Sequence, residues 1–410
     1  MTDTAGFPAR RAALRLMDAV LRRGETLEQA APGALRGVER GDDRALARAI
    51  ASEALRWLVD LDALIDTATR NRLADDAKVR TVLRLMLAQT LRLDTPPHAV
   101  VATCLPLLDG GPRRLAHGVF STLSKRGASL PDAPTLPDGV HMRWGALAEE
   151  VAPALAAPPP LDLTLKDHAG TAEWAARLGG ISLMPGHVRL ARGTAVEKLD
   201  GFGEGAWWVQ DLAASLPARL LGQGEGRSVL DLCSAPGGKT LQLAANGWRV
   251  TSLDMSEKRL ERLRENLART GLAADVIEGD ALQWEPRLPF DAVLLDAPCT
   301  ATGTCRRHPD VLHRIGVRQI ADMAQLQAAL LARAARWLAP GGRLVYATCS
   351  LEAAEGEEQV AAITLAPDPI RTEELPQGLA PTAQGWLRTH PGLLPEAGGL
   401  DGFFVARFRR

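Results

Sequence analysis

The first third of the chain is patterned at the helical period. In ARRAALRLMDAVLRR, Ala13, Leu16, Met17, Val20 and Leu21 fall on one face and arginines on the other. RALARAIASEALRWLVDLDALIDTAT and AKVRTVLRLMLAQTLRL repeat that spacing, and the turn signals RGE, GDD, DTPPH and DGGP separate the segments. The pattern predicts an all-α domain of several short helices from Ala9 to about Arg126, within residues 1–130. Residues 127–140, GASLPDAPTLPDGV, are rich in proline and glycine and read as a linker. A helix at RWGALAEEVAPALA, the stretch PPPLDLTLKD, a helix around TAEWAARLG and the stretch HVRLARG then form a small α/β piece, within 131–205. Trp207 and Trp208 follow at the next junction, where a tryptophan pair reads as packing rather than as a base-stacking platform.

From about Ser228 the period changes. RSVLDLCSA, WRVTSLDMS, ADVIEGDA, FDAVLLDAP and RLVYATCSL read as strands, alternating with helices such as EKRLERLRENLARTGL and RQIADMAQLQAALLARAARWLAPGG. Strands alternating with helices over residues 206–410 predict an open parallel sheet covered on both faces. In such a sheet ligands bind beyond the carboxyl ends of the strands. Asp231, Cys233, Asp254, Asp280, Asp296, Cys299 and Cys349 each lie at or just past such an end.

Composition narrows the class. The 410 residues carry 46% hydrophobic and 24% charged side chains, an ordinary balance for a globular protein. Five scattered cysteines do not make a disulfide framework and point to a reducing compartment. No apolar run reaches the roughly 20 residues of a membrane span, and MTDTAGFPARRAALRL has no signal-peptide core. A cytoplasmic protein with no membrane partner is expected. Net charge is −1, yet residues 1–130 hold 20 Lys and Arg against 15 Asp and Glu. That excess suggests an anionic partner for the first domain; an arginine-rich solvated surface explains it as well.

The loop Cys233-Ser234-Ala235-Pro236-Gly237-Gly238-Lys239 is neither a phosphate loop nor a dinucleotide fingerprint, because Cys233 stands where the first glycine would be. It remains a glycine turn opening a helix, where backbone N–H groups favour a carboxylate. Asp254 is placed to accept from ribose hydroxyls, and Asp280 from an adenine amino group. Carboxylate, ribose and adenine together describe S-adenosylmethionine. Each Asp alone is equally well a cap or turn residue; four strand ends in register argue otherwise. Two thiols then suggest the substrate. C5 of cytosine becomes nucleophilic when a thiolate adds to C6, and a second thiol or base is needed for release, which fits Cys299 and Cys349. Asp296 is placed to assist near N3. The alternatives are two buried structural cysteines, or a zinc site from Cys299, Cys305, His308 and Cys349, whose spacing matches no usual pattern. Arg306, Arg307 and His308 follow the first thiol as a basic cluster suited to RNA phosphates.

LDLCSAPGGKT, DAPCTATGTCRRHPD and YATCSL resemble the signature blocks of the RNA cytosine-C5 methyltransferases. The helical region resembles NusB, an RNA-binding fold, although GVFSTLSKR stands where that family has a VNAVLR-like segment. Together they resemble the bacterial Sun/Fmu-type 16S rRNA methyltransferases over nearly the whole chain. The resemblance implies a NusB-like domain, a small α/β linker subdomain and a Rossmann-like class I methyltransferase domain. It implies that Cys349 attacks C6 and that Cys299 assists release. It also implies that the Cys233–Lys239 loop with Asp254, Asp280 and Asp296 holds S-adenosylmethionine. Thr300 stands where Ser is usual, Cys305 where an aliphatic residue is usual, and WWVQDLAAS replaces VQDASAQ. The partner implied is 16S rRNA or a small-subunit assembly intermediate, with no metal and a monomeric chain. A tRNA or DNA methyltransferase and a non-catalytic RNA-binding assembly factor are the competing readings; the DNA enzymes use the PC-block cysteine as nucleophile and would not need Cys349.

Overall fold

The computed structural model describes residues 6–193 and 195–410. The chain divides into two compact units. One holds the described residues up to Ala157 together with Arg307–Ile315, and the other holds the described residues of Pro158–Arg306 with Gly316–Arg410.

The first unit is helical. Its main helices are Phe7–Arg23, Leu27–Ala34, Gly41–Arg56, Leu58–Thr67, Lys78–Arg92, Pro97–Cys104 and Gly110–Lys125. The apolar stripe read from the sequence forms its core, with Leu16, Met17, Ile50, Leu55, Leu61 and Phe120 almost fully buried. Thr26 and Gln29 close a capping box that starts the second helix. The arginines do not all face water as the helical pattern suggests. Arg10, Arg56, Arg80 and Arg84 are buried. Arg80 bonds both Asp62 (3.0 Å) and Asp66 (2.7 Å), and Arg84 holds Asp62 with two bonds of 2.7 Å. Planar guanidinium groups suit such bidentate pairing.

The expected boundary at residue 130 moves to 157. The Pro/Gly-rich stretch 127–140 is not a free linker, because Thr135 bonds the carboxylate of Asp60 through its N–H (2.9 Å) and its hydroxyl (2.6 Å). The following turns are pinned as well: Arg56 donates to the carbonyl of Leu155 (3.2 Å) and Arg92 to that of Ala156 (2.5 Å). Arg307–Ile315 joins this unit through His313, whose Nε2 lies 2.7 Å from the carbonyl oxygen of Leu55.

The second unit carries eleven strands among its described residues. β1 (Leu161–Leu165), β2 (His187–Leu190) and β3 (Trp207–Val209) form a small antiparallel sheet in the order β2-β1-β3. The larger sheet contains β4 (Ser228–Leu232), β5 (Arg249–Asp254), β6 (Asp275–Glu278), β7 (Phe290–Asp296), β8 (Leu338–Thr348), β9 (Ala366–Pro367), β10 (Leu387–Thr389) and β11 (Phe403–Arg409). Its order is β10-β11-β8-β7-β4-β5-β6, with β9 on β11. β8, β7, β4, β5 and β6 run parallel, so the strand order reverses beside β4. Helices including Gly238–Ala245, Glu257–Thr270 and Val317–Arg336 accompany these strands.

The boundary expected at 205 is not a break between units. Buried Arg189 of β2 bonds Asp162 of β1 and also the carbonyls of Ala397 and Gly399, while Asp162 accepts from the N–H of Leu212. The small sheet thus shares a buried polar network with the segment before β11 and with the start of the helix Leu212–Arg219. Trp207 and Trp208 are 0% and 4% exposed and serve packing.

The sequence reading did not place β11. It pairs antiparallel with β8, Phe404 opposite Thr348 and Val405 opposite Ala347. Just beyond this pairing, the backbones at Gly303 and Gly402 touch: Gly402 N–H donates to Gly303 O at 2.8 Å. A Cβ on residue 303 would lie 2.0 Å from the carbonyl oxygen of Gly402. Gly303→Ala is therefore expected to destabilise this unit by about 1–3 kcal/mol, read as a lower urea midpoint; an unchanged midpoint would refute the close approach.

Candidate active site

Parallel pairing of β4, β5, β7 and β8 sets their carboxyl ends on one rim. Asp296, the last residue of β7, pairs with Ala347 of β8, so Cys299 and Cys349 both emerge just beyond the same edge. A cavity of about 330 Å³ opens there, lined by Asp254, Asp280, Asp296, Cys299 and Cys349 with apolar Leu326 and Leu330. Its size falls in the usual range for a small-molecule site.

The loop after β4 is built for close approach. Cys233 adopts φ 58° and Gly237 φ 104°, and a Cβ on Gly237 would lie 2.9 Å from the side chain of Leu263. Gly237 caps the helix Gly238–Ala245, whose N-terminus faces the loop. The loop hangs from Asp254, which accepts the N–H of Ala235 at 3.1 Å. Its other oxygen accepts from Ser256 N–H (2.9 Å) and from Arg259 (2.8 Å). Arg259 is half exposed, so its bond to Asp254 lies on the solvent side and is the replaceable one. Asp280 forms a turn, accepting from the N–H of Leu282 and the amide of Gln283, both at 2.9 Å. Two buried polar atoms at the loop, Asp231 Oδ1 and Ser234 Oγ, have no hydrogen-bond partner among the described residues. Burial pushes the Asp231 carboxyl up to about 7 and, with the surrounding carboxylates, the Cys233 thiol up to about 12. Cys233 is thus a neutral wall of the site and no nucleophile.

Asp296 pairs with Lys239 at 2.6 Å, and Lys239 also lies 5.3 Å from the Phe403 ring centre. The last residue of the loop and the last residue of β7 are thereby joined.

The two thiols meet. Cys299 Sγ and Cys349 Sγ are 3.4 Å apart and unbonded. The contact with Cys349, burial and the charge of Glu355 hold the Cys299 thiol well above the usual thiol range. Either sulfur can be the donor across this contact. Among the described residues no three of His, Cys, Asp and Glu gather as a metal set, and Cys305 is fully buried.

Arg306 is a correction. It was expected at RNA phosphates, yet it is 1% exposed, paired with Asp211 and Asp401 at 3.2 Å and donating to the carbonyl of Gly398 at 2.7 Å. Two buried carboxylates compensate the desolvated guanidinium, which makes it a structural strut. Arg307 and His308 are half-buried and belong to the helical unit. The sequence reading missed Arg259 and Glu355. Arg259 lies five residues past Asp254 on a helix full of charge, and Glu355 lies six past Cys349 among other glutamates, so neither had a periodic or motif signal.

A parallel sheet with a glycine turn after β4, acidic side chains at the next strand ends and a cavity over the switch point defines a Rossmann-like class I methyltransferase unit. The family described as 16S rRNA methyltransferase RsmB/F matches residues 218–409, and the NusB family matches residues 8–109. The chain is 34% identical to the ribosomal RNA small subunit methyltransferase B of Klebsiella pneumoniae (strain 342), over 96% of each chain. It is also 34% identical to the protein of that name from Xanthomonas campestris pv. campestris, over 99% of this chain and 98% of the relative. The crystal structure of PH0851 shares the fold, with a TM-score of 0.72 at 22% identity over 98% of this chain and 99% of that one. The chain belongs to the RsmB/F family of 16S rRNA methyltransferases, with a NusB-family region in front.

The raised Cys299 thiol gives a direct test. Alkylation of Cys299, followed against pH by peptide mass spectrometry, is expected to be slow at neutral pH. In Cys349→Ala the contact that most raises the Cys299 thiol is gone, so Cys299 should label at lower pH than in the parent. An unmoved pH dependence in Cys349→Ala would contradict that cause.

Proposed function

We propose that the chain methylates C5 of a cytosine in 16S rRNA, using S-adenosylmethionine and a covalent link between Cys349 and C6 of the base. The observation that carries this reading is the pair of thiols 3.4 Å apart on neighbouring strand ends, beside a cavity walled by Asp254, Asp280 and Asp296. The loop Cys233–Lys239, Asp254 and Asp280 would hold the cofactor, with Arg259 giving way at Asp254. S-adenosylmethionine supplies an electrophilic methyl group. Cys349 Sγ adds to C6 and makes C5 electron-rich. Asp296, oriented by Lys239, steadies the pyrimidine near N3. Once C5 carries the methyl group, its proton must leave and the S–C6 bond must break; Cys299, in contact with Cys349, serves that release. Apolar Leu326 and Leu330 keep water from the electron-rich ring.

The substrate would be rRNA or a small-subunit assembly intermediate, met by a monomer in the cytoplasm. Among the described residues no helix is long and apolar enough to cross a membrane. The helical unit supports RNA contact, although four of its arginines are buried and do not contribute. Arg113 and Arg114 are exposed neighbours at the start of the helix Gly110–Lys125 and would be candidates to meet phosphates. Replacing both with Ala should weaken RNA binding and reduce the slope of log K against log salt by about 1–2. An unchanged slope would move the RNA contact elsewhere.

The roles of the thiols are tested on one denaturing gel with S-adenosylmethionine and 16S rRNA. Cys349→Ala should give neither product nor adduct. Cys299→Ala should attack and transfer but fail to release, so a protein–RNA band should accumulate. A trapped band from Cys349→Ala would reverse the roles, and none from a folded Cys299→Ala would remove Cys299 from release. Mapping 5-methylcytosine in rRNA from cells with and without the protein identifies the base.

A further inference from the structure

Glu355 is fully buried, in a short turn six residues past Cys349. A carboxylate there is costly unless its oxygens are met, and they are met by four uncharged donors. Oε1 accepts from Thr300 N–H (2.9 Å) and Gln327 Nε2 (3.1 Å). Oε2 accepts from the hydroxyls of Thr300 and Ser350. Thr300 follows Cys299 and Ser350 follows Cys349. One side chain therefore grips the residue next to each thiol. Gln327 extends the grip by donating to the carbonyl of Pro298 (2.9 Å), on the other side of Cys299. The carbonyl of Glu355 takes bonds from Tyr346 and Thr348 of β8 at 2.8 and 3.1 Å, which fixes the turn against the strand that delivers Cys349.

We propose that Glu355 is a positioning residue for methyl transfer, its carboxylate tying the two thiol-bearing loops to one point and so holding Cys299 and Cys349 in register. This rests on the cytosine-methyltransferase reading. The charge adds a second effect. The titratable groups facing Cys299 are Cys349 and Glu355, with Tyr346 of β8 behind them and Asp296 of β7 held by Lys239. The negative charge of Glu355 opposes ionisation of Cys299. Grip and charge thus act together: one sets how far apart the sulfurs sit, the other helps hold the Cys299 thiol above the usual range.

Two substitutions separate the effects. Glu355→Ala removes the grip. Its kcat on 16S rRNA should fall by about tenfold to a hundredfold, because misplacing a reacting group by an ångström costs that much, while the affinity for S-adenosylmethionine and the KM for RNA stay within about twofold of the parent. Glu355→Gln keeps the shape and loses the charge, and the two hydroxyls can reverse to accept from its amide. It should lose less kcat, and in a Cys349→Ser background it should shift the pH midpoint of Cys299 alkylation downward. Parental kcat in Glu355→Ala overturns the proposal, as does loss of cofactor affinity in step with kcat. Should Glu355→Ala fail to fold, Thr300→Val and Ser350→Ala each cut one arm; parental turnover in both overturns it as well. The alkylation shift needs no RNA and no methyl transfer. If the parent chain does not methylate rRNA, the functional reading fails on its own, and an unmoved midpoint still counts against Glu355.

Discussion

Register between parallel strands governs this molecule. β7 and β8 pair so that Asp296 stands opposite Ala347. A shift of one residue would turn every side chain to the other face. Held in this register, two cysteines that lie 50 residues apart in sequence come within 3.4 Å. The reversal of strand order at β4 opens the crevice beside them, and the loop after β4 meets the end of β7 through Lys239 and Asp296. β11 then covers the far side of β8 and brings Gly402 onto Gly303, which closes the turn after Cys299 from behind. Each of these contacts presupposes the same pairing.

The periodic parts of the fold were legible. An apolar stripe at helical spacing gave the helices of the first unit, and short apolar runs ending in Asp or Cys gave β4, β5, β7 and β8. Those signals are local, carried by side chains within a few residues of one another. What escaped was non-local. β11 is antiparallel on an otherwise parallel sheet, and FFVARFR is a strand only because β8 and β10 accept it on either side. The stretch 127–140 has the composition of a linker and is nonetheless fixed, because Asp60 reaches Thr135 from 75 residues away. Composition reports what a segment prefers alone, not which distant carboxylate meets it.

Charge was misread for a related reason. Arginine spacing cannot distinguish a solvated guanidinium from a buried one, since the difference lies in whether two acidic residues converge on it. Arg306 follows the turn of Cys299 and looks like a phosphate contact, yet Asp211 and Asp401 enclose it. Arg80 and Arg84 likewise spend their charge on Asp62 and Asp66. The net excess of basic residues in the first 130 positions therefore overstates the field that region presents to an anion. Only guanidinium groups left at the surface, such as Arg113 and Arg114, add to it.

The candidate site was legible in its motif residues and illegible in what arranges them. Cys299 and Cys349 are equivalent as letters, each a cysteine after a strand. What the letters do not show is their surroundings: a buried carboxylate with only uncharged partners raises Cys299, and the two sulfurs are in contact. A cation beside Glu355 would have weakened its field at Cys299. The fold instead meets that carboxylate with hydroxyls and amides, which satisfy its oxygens without a counter-charge. The same four bonds that make the burial tolerable hold the two loops together. Stability and chemistry thus draw on one group, so a chain that relaxed the packing at Glu355 would lose the spacing of its two sulfurs.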